Sequence, residues 1–444
     1  MNAKLLVVRV IWMTLLALAA PRTARADVQP HVRAPLTPAV QAVAAANNGL
    51  AFDLFRQLGA EDPNENLLIS PISISTALTM TYAGARGETA TQMADVLHLD
   101  GLADDAIHAG YGGLIGDLNA PREGYKLSVA NRLFGQTGFA FRQEFLDTLA
   151  GAYHAPLEQL DFYHETEPSR EHINDWVADQ TNQKIKDLLP MGSIKRETTL
   201  VLTNAVYFNG AWKNRFDADA TTNAPFYQLD GSVGATPMMQ QTNLFKHAAF
   251  DDFQMLEIPY AGDDLTMVVM LPNENDGLAA LEASLDAERF QESVESLELR
   301  KVELHLPKFT FRDGAGLKAP LKSLGMTDAF DDADFTGIGG CGLAIGDVLH
   351  KTFIDVNEVG TEAAGATAVI IETTSINPAP PVFRADHPFL FGLRDTHTGS
   401  LLFLGRMTDP AAATAAATVP EPTAAALLLT TLVGLATRRL RREA

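Results

Sequence analysis

Residues 358–383 read EVGTEAAGATAVIIETTSINPAPPVF. Split by parity, one set is Thr361, Ala363, Gly365, Thr367, Val369, Ile371 and Thr373, and none of these is charged. The other set holds Glu362, Ala364, Ala366, Ala368, Ile370 and Glu372, with both acids. Alternate residues of a strand share a face. The stretch therefore fits a strand with one face on a core and both glutamates outward. Its glycine and alanine content makes it a poor strand nucleator, and its proline-rich end belongs to an exposed loop. A segment that is loop-like in one state and strand-competent in another is a candidate switch. An ordinary surface linker is the alternative, and parity alone leaves both open.

On the N-terminal side the pattern is helical. Val40, Val43, Leu50, Leu54, Phe55 and Leu58 recur mostly at three- and four-residue steps. Ser70-Pro71 predicts a second helix, with proline in a tolerated first-turn position. Gly84 to Gly87 breaks it, and Thr89 to Leu97 predicts another. Strands dominate later: Thr199 to Phe208, the apolar run Leu265 to Leu271, and the alternating Val302 to Phe311, where Pro307 marks a bulge or edge. Leu401 to Leu404 closes the domain. Helices first and strands later point to an α+β domain over residues 39–410, with no internal repeat and no long linker.

Both ends read as separate segments. Lys4 and Arg9, the apolar run Val10 to Ala20 and Ala24-Arg25-Ala26 have the order of a signal peptide over residues 1–26. Residues 27–38 are expected to be a linker. Residues 411–419 are a low-complexity Ala/Thr stretch, also expected to be a linker. Residues 420–444 begin Pro420-Glu421-Pro422, continue as an apolar segment over 423–436, and end in Arg438, Arg439, Arg441 and Arg442. That order resembles the PEP-CTERM sorting tail of Gram-negative bacteria. The arginines favour the cytoplasmic side and the apolar run is short for a stable span, so the tail would anchor transiently. The expected location is exported, extracellular or at the cell surface.

The formal charge is -21 over 444 residues. Without the four cations of residues 1–26 and the net three of residues 438–444, residues 27–437 carry -28. So acidic a core argues against nucleic acid or a polyanionic glycan as partner. The single cysteine, Cys341, excludes an intramolecular disulfide. No G-x-S-x-G, H-E-x-x-H, C-x-x-C or P-loop pattern occurs. Gly337, Gly339 and Gly342 fit G-x-G-x-x-G but lead into an extended stretch, so they read as a loop. Asp332 and Asp334 hint at calcium, but Leu343 stands where the loop needs its glutamate. No catalytic residue, metal site or cofactor is expected, and the chain is not expected to be an enzyme.

Glu358-Val359-Gly360-Thr361-Glu362-Ala363-Ala364-Gly365-Ala366-Thr367 closely resembles the reactive-loop hinge of serpins. Asn66 to Ala77, Ile173 to Pro190, Leu202 to Trp212, Pro237 to Met239, Leu304 to Phe309, His387 to Phe391 and Phe403 to Arg406 resemble the same family, in order. The resemblance implies three β-sheets, about nine helices and an exposed reactive-centre loop. It implies a serine-protease inhibitor, acting as a monomer, that is cleaved in the loop and then inserts its hinge into the large sheet while the protease is still acylated. A non-inhibitory serpin, a binding or chaperone module, is the alternative, and the absence of charge and proline from Thr361, Ala363, Gly365 and Thr367 favours inhibition. Carried onto this chain, the family's shutter falls on Ser70, Ser73, Asn204 and His350, and its breach on Trp212. Seventeen residues counted from Glu358 give the reactive bond Thr374–Ser375, whereas counting back from His387-Pro388-Phe389 ends near Asn377. The hinge side has the stricter geometry, which favours Thr374–Ser375. No Lys or Arg lies between Lys351 and Arg384, which disfavours a trypsin-like target and suits an elastase- or subtilisin-like one.

Overall fold

The structure, a computed structural model, describes residue 33, residues 35–361 and residues 379–418. Helix α1 (Pro38–Glu61) starts where the Thr37 side chain accepts the Val40 N–H, with Pro38 at the first position. Its buried residues include Val43, Leu50, Leu54 and Leu58, the spacing the sequence displays. Strand β1 (Leu67–Ile69) leads into α2 (Pro71–Tyr82), which is buried on nearly every side. Then come α3 (Gly87–Val96), α4 (Asp104–Leu118), β2 (Tyr125–Gln136), α5 (Gln143–Tyr153), β3 (Leu157–Leu160), α6 (Thr166–Gln180) and β4 (Leu200–Ala211). The second half holds β5 (Thr222–Tyr227), β6 (Val233–Ala249), β7 (Phe253–Pro259), β8 (Leu265–Pro272), α7 (Leu278–Ser284), α8 (Ala287–Glu295), β9 (Glu298–Pro307) and β10 (Phe309–Gly316). It closes with α9 (Lys318–Ser323), α10 (Asp328–Asp331), β11 (Leu349–Val356), β12 (Gly360–Thr361), β13 (Val382–Arg384), β14 (Phe389–Asp395), β15 (Leu401–Met407) and α11 (Pro410–Thr418).

The predicted strand Val302 to Phe311 is thus two strands, divided at Pro307-Lys308, where proline cannot donate to a ladder. The strands form two hydrogen-bonded sheets. One runs β1-β15-β14-β8-β7-β6-β9-β13, with β5 paired to β6. The other runs β10-β11-β12-β4-β2-β3. The serpin resemblance implies three sheets. The 17-residue β6 joins two of them, because it pairs with β9 over Met238–His247 and with β7 over Lys246–Ala249. Eleven α-helices, against about nine expected, lie among the described residues. β8 is buried along its whole length, which is why it reads as an unbroken apolar run rather than an alternating one. Each of its fully buried Leu, Val and Met side chains contributes about 1.5–3 kcal/mol.

The described residues of both expected linkers make contact with the domain. Arg33, in the 27–38 segment, donates from Nε to Asp117 Oδ2 at 2.9 Å and lies 2.7 Å from Asp395, a fully buried carboxylate. A charge so buried needs a partner, and that demand ties Arg33 to the domain. The Ala/Thr stretch beyond residue 410 is helical through Thr418, and Ala413 is buried. Alanine has the highest helix propensity of any residue. Asp409 Oδ1 caps this helix by accepting the N–H groups of Ala411 and Ala412 at 2.9 and 3.1 Å.

Candidate functional site

The six-stranded sheet is built around β12, a two-residue strand. Gly360 pairs with Ala211 and Thr361 with Gly210 on β4. On its other edge Thr361 pairs with Val356 of β11. All of these pairings are antiparallel. Among the described residues, the facing edges of β4 below Gly210 and of β11 below Val356 have no ladder to each other. The two strands therefore stand one strand's width apart at this end.

Gly360 is dictated by sterics. A Cβ there would overlap the Gly210 carbonyl oxygen and lie 2.7 Å from Ala211 Cα. Thr361 is buried, and its Oγ1 is 2.8 Å from the hydroxyl of Tyr260. Burial drives the Tyr260 hydroxyl far above the ordinary tyrosine range, so it stays protonated. Tyr260 stacks on Trp212 with ring centroids 4.4 Å apart. Trp212 Nε1 donates to the Asn357 carbonyl at 2.8 Å, and its backbone N–H donates to the Val359 carbonyl at 3.0 Å. Glu358 accepts from Lys308 Nζ at 2.9 Å and from Thr221 Oγ1 at 3.0 Å. Burial alone would raise the Glu358 carboxyl, but these donors and the Lys308 charge outweigh it and hold the pKa below the usual glutamate value.

Further along the same two strands lies a polar group. His350 of β11 accepts the Ser70 N–H at its Nε2, 2.9 Å away, and Ser70 Oγ donates to the Leu402 carbonyl at 2.8 Å. Asn204 of β4 donates from Nδ2 to Asn131 Oδ1 at 2.6 Å. Ser73, Asn204 and His350 line one crevice between β4, β11 and α2. Burial pushes the His350 imidazole down to about 4. At neutral pH it is uncharged and can accept the bond from Ser70.

The structure brings Ser70, Ser73, Asn204 and His350 together, and it sets Trp212 apart from them beside Gly360 and Thr361. The expected hinge residues Glu362, Ala363, Ala364, Gly365, Ala366 and Thr367 and the expected reactive bond Thr374–Ser375 lie outside the described residues. Sequence reasoning missed Tyr260, Lys308, Asn131 and Asn357. Lys308 sits inside a stretch singled out for its resemblance, without a role. No local pattern marks Tyr260 or Asn131, whose partners Thr361 and Asn204 are distant in sequence, and Asn357 bonds locally to Asp355, Val359 and Gly360 without a motif that singles it out.

A family model described as Serpin (serine protease inhibitor) matches residues 45–410. The chain belongs to the serpin family. Among its relatives, Serpin B3 of Homo sapiens is 40% identical over 391 residues, covering 84% of this chain and 100% of that protein. Leukocyte elastase inhibitor of Bos taurus is 41% identical over 381 residues, again covering 84% of this serpin and 100% of the relative. The crystal structure of uncleaved ovalbumin matches with a TM-score of 0.75 at 32% identity, over 83% of this chain and 100% of ovalbumin.

Proposed function

We propose that this serpin is a suicide inhibitor of a serine protease with elastase- or subtilisin-like preference. The observation that carries the reading is the seating of Gly360–Thr361 between β4 and β11, with Thr361 turned inward. Continuing that antiparallel register, the uncharged parity set would turn inward and both glutamates outward. Ala363 would come level with Phe208 and Ile354, and Gly365 with Val206 and Thr352. Six residues beyond Thr361, Thr367 would come level with Asn204 and His350, the polar group already described. A charge or a proline in the inward set would stall such insertion.

In this reading the protease's serine attacks the Thr374 carbonyl carbon. The Thr374–Ser375 amide breaks, an ester forms to Thr374, and Ser375 leaves as a new amino terminus. Insertion of the hinge then releases strain and traps the ester. The leukocyte elastase inhibitors among the relatives support the target class, as does the lack of Lys and Arg in the loop. The same proposal has the protein exported through residues 1–26, held briefly at the membrane by residues 420–444, and acting as a monomer in a bacterium. No helix among the described residues is long and apolar enough to cross a membrane.

The test is incubation with elastase and with subtilisin, read by denaturing electrophoresis and intact mass. A covalent complex with a released peptide beginning at Ser375 is expected. Cleavage without complex across a panel of proteases would instead support the non-inhibitory alternative.

A further inference from the structure

Helix α11 begins at residue 410, where the serpin family match ends. It is seated at the hinge end of the six-stranded sheet. Its root is fixed by Asn66, whose Oδ1 accepts the N–H groups of Thr408 and Asp409 at 2.7 and 3.0 Å. Gln228 Nε2 holds Asp409 Oδ2 at 2.8 Å. A nine-residue helix is marginal by itself, so it depends on its docking against β10. That docking covers an edge strand. The backbone N–H of Thr310, in β10, donates to Thr414 Oγ1 at 3.2 Å, and Thr414 in turn donates to the Pro410 carbonyl at 3.0 Å.

From Thr310 the hydrogen bonds continue inward. Thr310 Oγ1 donates to Asp355 Oδ1 of β11 at 2.7 Å. Asp355 Oδ2 accepts from Asn357 Nδ2 at 3.1 Å. Asn357 Oδ1 accepts the N–H groups of Val359 and Gly360 at 3.0 and 3.3 Å. Asn357 therefore shapes the turn that delivers Gly360 and Thr361 into the sheet, and Asp355 orients Asn357. The path from the C-terminal helix to the hinge is continuous through named atoms.

We infer that Thr414, Thr310, Asp355 and Asn357 are positioning residues, through which the docked C-terminal helix presets the turn at residues 357–360 for hinge insertion. The segment that carries the C-terminal tail thereby acts on the inhibitory loop. With α11 docked, β10 and β11 are held in the frame that pairs Thr361 on both edges. With it undocked, Asp355 loses a fixed neighbour and the turn loosens. The effect on protease trapping rests on the inhibitory function proposed above, whereas the coupling itself does not.

The experiment is hydrogen–deuterium exchange on the full chain, comparing Thr414→Val, Thr414→Ser and Ala413→Asp with the unaltered protein and using the β8 amides as reference. Thr414→Val keeps the shape and removes the acceptor. It should speed exchange at residues 357–361 about fivefold, the change expected from one net hydrogen bond, and Thr414→Ser should restore the slow rate. Ala413→Asp, which puts a charge into the buried contact, should speed exchange at both 411–415 and 357–361. Faster exchange at 411–415 with unchanged exchange at 357–361 would overturn the inference. So would unchanged exchange at 357–361 in both Thr414→Val and Ala413→Asp, and a response to Ala413→Asp alone would overturn the hydrogen-bonded route. The same variants are then scored for the fraction of protease trapped, and Thr414→Val should trap less. Failure of the unaltered protein to trap any protease would sink the proposed function, and the exchange data would still decide the coupling.

Discussion

Acidification should weaken this protein through His350. In the folded state burial pushes its imidazole from 6.5 down to about 4, and its Nε2 accepts the Ser70 N–H. The unfolded chain exposes an ordinary histidine. Between those two pKa values the unfolded state binds a proton that the folded state excludes, so stability falls as pH falls. Each pH unit crossed between the two values removes about 1.4 kcal/mol. The loss is then about 2 kcal/mol at pH 5 and about 3 kcal/mol below pH 4, relative to neutral pH. Protonation also removes the acceptor at the start of α2, so the damage should begin where α2 meets β11. The assay is denaturant unfolding at pH 7.5 and pH 5, for the unaltered protein and for His350→Gln. Glutamine offers Ser70 a carbonyl oxygen and does not titrate. The variant should lose about 2 kcal/mol less between the two pH values. Equal losses in the two proteins would refute the argument, because the pH dependence would then come from other groups.

Three further outcomes follow from the same geometry. Gly360→Ala should cost about 3 kcal/mol by overpacking against Gly210 and Ala211, and under the proposed function it should shift the outcome from covalent complex toward simple cleavage; unchanged complex formation on a denaturing gel would contradict the seating of β12. Lys308→Met should cost only about 1 kcal/mol at pH 7, because the lysine is itself half-exposed. Since the Glu358 carboxyl is held below its ordinary value, its contribution is present above pH 4.5 and is lost as pH falls through the depressed pKa; thermal unfolding at neutral and acid pH checks both points. Arg33→Met should cost about 3 kcal/mol, because Asp395 is fully buried and loses a cation 2.7 Å away; an unchanged unfolding midpoint would show that the segment before α1 is not an anchor.

Much of the fold was legible because it is periodic. The spacing of Val43, Leu50 and Leu54 and the Ser70-Pro71 start are local signals, and local propensity and tertiary packing agree there. The parity reading of residues 361–373 rests on strand geometry alone, and all of it beyond Thr361 lies outside the described residues. The joining of two sheets along β6 was not, because it depends on which neighbours a long strand meets. The Ala/Thr stretch after residue 410 misled, although Asp409, Pro410 and the alanines are ordinary helix signals. Low complexity hid them, and only docking on β10 stabilises so short a helix.

The same division runs through the site. A hinge without charge on one face, a loop without Lys or Arg, and polar residues at 70, 73, 204 and 350 can all be read along the chain. No such reading brings Tyr260 to Thr361, Lys308 to Glu358 or Asn131 to Asn204. Each of those pairs joins residues at least 50 positions apart. Such contacts leave no period in the sequence, because distance along the chain carries no information about distance in space until the sheets have closed. It took the folded arrangement of β4 and β11, one strand's width apart, to put the first hinge residues between them.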